Sequence, residues 1–208
     1  LVQNLHGLTF DEAKRLAYKA IADDGAITGS DIARVNRAKF NLLQSGATLS
    51  QVFDTKSLDD VIGLENLKRW LSQRQQAFLQ NGQDIPKGIL LTGVQGTGKS
   101  MAAKAIAGAW AIPLLRLDMA ALYNKYIGET EKNLSQALAQ ADAMAPCVLW
   151  IDEIEKGLAG GDNDNGVTRR ILGTLLTWMA ERDKPVFLVA TANNIDELAP
   201  ELLRKGRF

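Results

Sequence analysis

Two hydrophobic periodicities divide the chain. Up to about residue 50 apolar positions recur at helical spacing, and beyond residue 85 they gather into short continuous runs separated by helix-favouring stretches. In the first part Phe10, Ala13, Leu16, Ala17, Ala20 and Ile21 form one stripe behind the capping box Thr9-Phe10-Asp11-Glu12. Asp23-Asp24-Gly25 stops that helix. Residues 28–31 open a second, carrying Ile32, Val35, Phe40 and Leu43 and closed by Ser45-Gly46. Two helices of this size bury little by themselves, so residues 1–50 are expected to pack on a neighbour or to form the tail of a preceding module. The pattern breaks between Val52 and Leu58. A helix then follows over 65–80, with Asn81-Gly82 and Pro86 punctuating the approach to the next element.

From residue 87 the elements alternate. Apolar runs at 89–91, 113–118, 147–151 and 186–191 read as strands, and 101–110, 133–145 and 167–180 read as helices. Continuous apolar strands separated by helices mean a parallel sheet covered on both faces, hence an α/β domain over 51–208. The polar, glycine-rich stretch 159–166 (AGGDNDNG) cannot pack and is expected to be a mobile loop. No internal repeat is present.

Composition narrows the partners. The chain has 208 residues, 46% of them apolar, enough for a sizeable core. Lys plus Arg (24) balances Asp plus Glu (24), so nothing argues for nucleic acid or an anionic membrane as the main partner. A single cysteine, Cys147, excludes an internal disulfide. No apolar run approaches the roughly 18 to 20 residues of a membrane span, and the start lacks a signal-peptide pattern, so a cytoplasmic location is expected. The chain begins at Leu1 and ends at Gly206-Arg207-Phe208 with no element completed, and is expected to be part of a longer polypeptide.

The chemistry centres on Gly93-Val94-Gln95-Gly96-Thr97-Gly98-Lys99-Ser100, the phosphate-loop pattern G-x-x-x-x-G-K-[ST], set between a predicted strand and a predicted helix. The glycines let successive amide N–H groups converge on an anion, at the positive end of the following helix. Lys99 would reach the β- and γ-phosphates of ATP, and the Ser100 hydroxyl would ligate Mg²⁺. The strand at 147–151 ends in Asp152-Glu153, at the edge where parallel sheets bind ligands. Asp152 suits Mg²⁺ and Glu153 suits polarising a water for attack on the γ-phosphate; the alternative is that both acids merely cap a helix. The last strand runs into Asn193, an amide able to orient the same water, or simply to build the turn.

Taken in order and spacing, the glycine loop, VLWIDE, ATANN and LLRKGRF resemble the AAA family of ATPases, in the branch that includes katanin, spastin and the AAA proteases. Together with the LTFDEA helix, the stretch ATANNIDELAPELLRKGRF is most similar to an AAA family of cyanobacteria and chloroplasts, also met in other bacteria. The resemblance covers about 57–208.

It implies that Asn193 senses the γ-phosphate. It also implies that Arg207 is an arginine finger reaching ATP on a neighbouring subunit, an effect worth about 10³ to 10⁵ in rate in other phosphoryl-transfer systems. That role requires a homo-oligomer, in this family usually a hexameric ring. Asp60-Val61-Ile62-Gly63 falls on the segment that contacts adenine, so Asp60 and Ile62 join the nucleotide-binding residues. Tyr126 and Ile127 fall on the pore loop that grips a threaded polypeptide; the other reading packs Tyr126 on the following helix. The family's helical lid and fifth strand would follow Phe208, and without that strand residues 89–91 are expected to form an apolar edge.

The function implied is Mg²⁺-dependent ATP hydrolysis coupled to remodelling of a protein substrate, in the cytoplasm or a plastid stroma. The alternatives are a slow nucleotide-gated switch or scaffold and, less favoured, a DNA-acting clamp-loader or helicase relative.

Overall fold

The computed structural model describes residues 5, 7–22, 29–43, 48–80, 85–123, 129–158 and 165–208. Helix α1 (Phe10–Ile21) starts at its capping box: the Thr9 hydroxyl accepts from the Glu12 N–H, and the Glu12 carboxylate accepts from the Thr9 N–H at 3.0 Å. Helix α2 (Gly29–Leu43) follows. The rest alternates as β1 (Leu49–Val52), α3 (Glu65–Leu79), β2 (Gly88–Thr92), α4 (Lys99–Trp110), β3 (Leu114–Leu117), α5 (Met119–Leu122), α6 (Glu129–Ala143), β4 (Cys147–Ile151), α7 (Ile154–Leu158), α8 (Asn165–Glu181) and β5 (Val186–Ala192). The five strands form one sheet in the order β1-β3-β4-β5-β2, parallel except for β1, which runs antiparallel to β3.

The pleat sorts every strand's side chains between two cores. Cys147, Leu149 and Ile151 of β4, with Leu188 and Ala190 of β5, face α6 and α8. Val148 and Trp150, with Phe187 and Val189, face α3 and α4. On the second face Trp110 stacks on Phe78 (centroids 4.9 Å apart) and meets Phe187 edge-on (4.7 Å). Each such pair adds about 0.5–1.5 kcal/mol beyond area burial, which pins α3 and α4 to the sheet. The tryptophans at 110 and 150 are buried, as packing residues should be, and Trp178 donates its indole N–H to Asp142.

Three elements escape the sequence pattern. The stretch read as helical up to about residue 50 ends in a strand: β1 buries one of its four residues fully, Leu49, so it carries no continuous apolar run. Helices α5 and α7 have four and five residues, too short for a helical period to register. Helix α6 begins at Glu129 rather than 133, with acids at 129 and 131 complementing its positive end.

Among the described residues strand β2 pairs on one side only, with β5. Ile89, Leu90 and Leu91 are nevertheless half-buried against the two cores. Arg182 closes the strand's start by donating to the Lys87 carbonyl, while the Lys87 ammonium donates to Ala180 at 3.2 Å. The carboxyl ends of β2, β4 and β5 therefore lie side by side, and the glycine loop, Asp152, Glu153 and Asn193 leave from those ends.

Candidate functional site

Strand β2 passes into the glycine loop at Gly93, whose N–H donates to the Ala192 carbonyl at 3.2 Å, tying the loop to the end of β5. Gly96 and Gly98 have φ of +80° and +83°, where a side chain would be strained, and Gly98 caps α4 from that left-handed position. Thr97 donates to the Val94 carbonyl (2.8 Å) and holds the loop's curl. Lys99 opens α4. Its ammonium donates to the carbonyls of Gly93 and Val94 (2.9 Å) and to Asn193 Oδ1 (3.0 Å), three neutral oxygens, so its charge stays available to an anion.

The acids stand one strand away. Asp152 Oδ1 accepts from the Thr191 hydroxyl (2.7 Å) and the Ser100 hydroxyl (3.4 Å), and Arg116 lies 3.8 Å from Oδ2. The chain then turns sharply, with Glu153 at φ +48°, a left-handed conformation costing about 1–3 kcal/mol in a non-glycine residue. The Glu153 N–H donates to Thr191 Oγ1 at 2.9 Å, so one buried hydroxyl anchors both acids. Glu153 Oε1 accepts from Asn193 Nδ2 (2.8 Å) and Oε2 from Lys156 (2.7 Å). The Lys156 ammonium first, and the Asn193 amide second, hold the Glu153 carboxyl below its ordinary range, so it is ionised at neutral pH. Asn193 thus joins Lys99 to Glu153. Its orientation is unambiguous, because the lysine can only donate and the carboxylate only accept.

The geometry brings together the loop from Gly93 to Ser100, Asp152, Glu153 and Asn193. Asp60 and Ile62 belong to a segment against the outer side of α4: the turn Leu58–Asp60 is capped by Ser57 and Asp60, and the Lys56 carbonyl would stand 2.1 Å from a Cβ at Gly108, so only glycine admits that approach. Ile62 is 98% exposed, unusual for an isoleucine beside a buried Val61. Arg207 is not brought to the loop. Its guanidinium donates to the Leu176 carbonyl on α8. Tyr126 and Ile127, and most of the expected loop 159–166, lie outside the described residues.

Sequence reasoning overlooked Thr191 and Glu155. Thr191 had a signal, a hydroxyl inside an otherwise apolar, fully buried strand. Glu155 had none, since an acid in the first turn of a helix is ordinary.

The phosphates of a nucleotide fit a glycine loop at a helix N-terminus whose lysine is hydrogen-bonded only to neutral oxygens and so keeps its charge for an anion. The Ser100–Asp152 pair suits Mg²⁺, which takes one or two hard protein oxygens and completes its shell with phosphate and water. No cluster of three or more acidic, histidine or cysteine ligands occurs among the described residues.

Residues 89–208 match the family model described as "ATPase family associated with various cellular activities (AAA)". The chain belongs to the AAA family of ATPases. Residues 1–46 match a second model, the second domain of SpoVK-like AAA ATPases. The AAA domain-containing protein ycf46 of Guillardia theta is 44% identical over 214 residues, covering 100% of this chain and 42% of that protein. The ycf46 protein of Gracilaria tenuistipitata var. liui is 49% identical over 158 residues, 73% of this chain and 32% of its own length. The cell division cycle protein 48 homolog of Archaeoglobus fulgidus is 36% identical over 162 residues, 72% of this chain and 22% of that protein. Within the family the chain is thus of the cyanobacterial and plastid type, and it spans less than half the length of these relatives. No helix among the described residues is long and apolar enough to cross a membrane.

Proposed function

We propose that this AAA domain hydrolyses ATP with Mg²⁺, at a site completed by a neighbouring copy, and that the cycle drives remodelling of a protein substrate. The observation that carries the reading is the Asn193 bridge between the Lys99 ammonium and the Glu153 carboxylate, which joins a phosphate-binding cation to a candidate base. Lys99 and the loop amides bind the phosphates. The segment holding Asp60 and Ile62 receives the adenine, which accounts for an isoleucine kept in the open. Ser100 and Asp152 hold Mg²⁺, which supplies charge neutralisation on the phosphate oxygens. Glu153, ionised and fixed by Asn193, accepts the proton of the attacking water. Asn193 keeps that carboxylate in register with the γ-phosphate.

Arg207 acts in trans, in a homo-oligomer that we take to be a hexameric ring. Its hold on Leu176 keeps it on its own subunit's α8, away from its own loop. Tyr126 and Ile127 would grip the substrate polypeptide in the pore. Balanced charge argues against nucleic acid as partner, and the absence of a spanning helix among the described residues suits a place in the cytoplasm or plastid stroma.

Subunit mixing tests the composite site. Glu153→Gln and Arg207→Ala proteins should each be inactive alone, the first lacking the base and the second the finger. Mixed and re-annealed, they should regain phosphate release at interfaces pairing an intact Glu153 with an intact Arg207. Mixtures no more active than the separate variants would overturn the trans assignment.

A further inference from the structure

We propose that Glu155 is a positioning residue for hydrolysis, setting the backbone of Asn193 and through it the spacing of Lys99 and Glu153. The inference rests on the functional reading above.

Glu155 lies in the first turn of α7 and is 2% exposed, one of few acids buried among the described residues. Its Oε1 accepts the Asn193 N–H at 2.9 Å, across from β4 to β5. Its Oε2 is buried with no hydrogen-bond partner among the described residues. A buried carboxylate with one oxygen unsatisfied is costly, and stability alone would be served better by an apolar side chain of similar size. The single bond it makes falls on the residue whose side chain spans the site.

That bond completes a stitch between the two strand ends. Thr191 ties Asp152 and the Glu153 N–H to β5. Asn193 ties Glu153 to Lys99 through its side chain and to Glu155 through its main chain. With side chain and main chain both held, Asn193 is fixed at three atoms. Released from Glu155, its backbone would be free to turn, and the Glu153 carboxylate that its amide holds would move relative to the Lys99 ammonium. A displacement near 1 Å at such a site is worth about a hundredfold in rate.

In the full-length protein, Glu155→Leu removes the acceptor with little change of volume. It should lower kcat for ATP about ten- to a hundredfold while KM and nucleotide affinity stay within about threefold. Glu155→Gln keeps an oxygen for the Asn193 N–H and should return kcat to within about threefold of wild type. In an Asn193→Ala background, Glu155→Leu should add little further loss, because the two residues act as one unit. If Glu155→Leu does not fold, Glu155→Asp, which draws the oxygen back by one methylene, carries the same expectation.

Unchanged kcat in the Leu or Asp variant would overturn the proposal. So would Gln failing to restore what Leu loses, or fully additive losses with Asn193→Ala. Glu153→Gln measured alongside separates the two levels: if it hydrolyses ATP normally the site reading itself fails, and if it is inactive while Glu155→Leu is normal only the present inference fails.

Discussion

Lys39 should make the protein less stable at neutral pH than the same fold without it. The side chain projects from α2 into the base of the core, 1% exposed, and its ammonium has no hydrogen-bond partner among the described residues. Burial pushes its pKa from an ordinary 10.5 down to about 8. The folded state therefore releases a proton that the unfolded chain keeps between those two values. Stability rises with pH across that window, and below about pH 8 the full penalty is present. At about 1.36 kcal/mol per unit, the difference between 10.5 and about 8 amounts to about 3 kcal/mol.

Lys39→Met keeps the length and the apolar stem and removes the charge, so it should stabilise the chain by up to about 3 kcal/mol at pH 7. Wild type should recover about 1 kcal/mol between pH 7 and 9, narrowing the gap to about 2 kcal/mol. Urea unfolding of both proteins at pH 7, 8 and 9, with equal m-values, measures this directly. A Met variant less stable at pH 7, or a gap that does not shrink with pH, would refute the reasoning.

Three other outcomes are expected. Lys99→Ala should weaken ATP binding about ten- to a hundredfold, since the neutral variant offers the phosphates no charge; fluorescent-nucleotide titration checks it, and near-normal affinity would contradict it. Trp110→Ala should cost about 3–5 kcal/mol in urea unfolding, because the ring joins Phe78 and Phe187 in one cluster, and a loss below about 1 kcal/mol would mean that the cluster does not hold α4 to the sheet. Tyr126→Ala in the assembled protein should abolish substrate remodelling while ATP turnover persists; an unaltered phenotype would favour the nucleotide-gated switch over threading.

Much of this architecture was legible in the residues because the relevant signals are local. Strands β4 and β5 are buried on both faces and so read as unbroken apolar runs, and the glycine loop needs its residues at fixed spacing whatever surrounds it. Asp152, Glu153 and Asn193 stood out because polar groups end those runs. Strand β1 did not, because it is a short edge strand with one fully buried residue, which alternation alone cannot distinguish from a helix end. Glu155 was invisible for a different reason. What makes it unusual is burial beneath β5, a tertiary fact, while its sequence position on a helix's first turn is commonplace. Arg207 shows a third kind of limit, since its bond to Leu176 belongs to one subunit and the role proposed for it belongs to two.

The most direct test of the ATPase account is phosphate release by wild type and by Glu153→Gln, with ATP binding measured on the same preparations. The account predicts that wild type turns over ATP with Mg²⁺, whereas the variant binds ATP with comparable affinity and hydrolyses it at least about a hundredfold more slowly. Equal rates of phosphate release from the two proteins would contradict it.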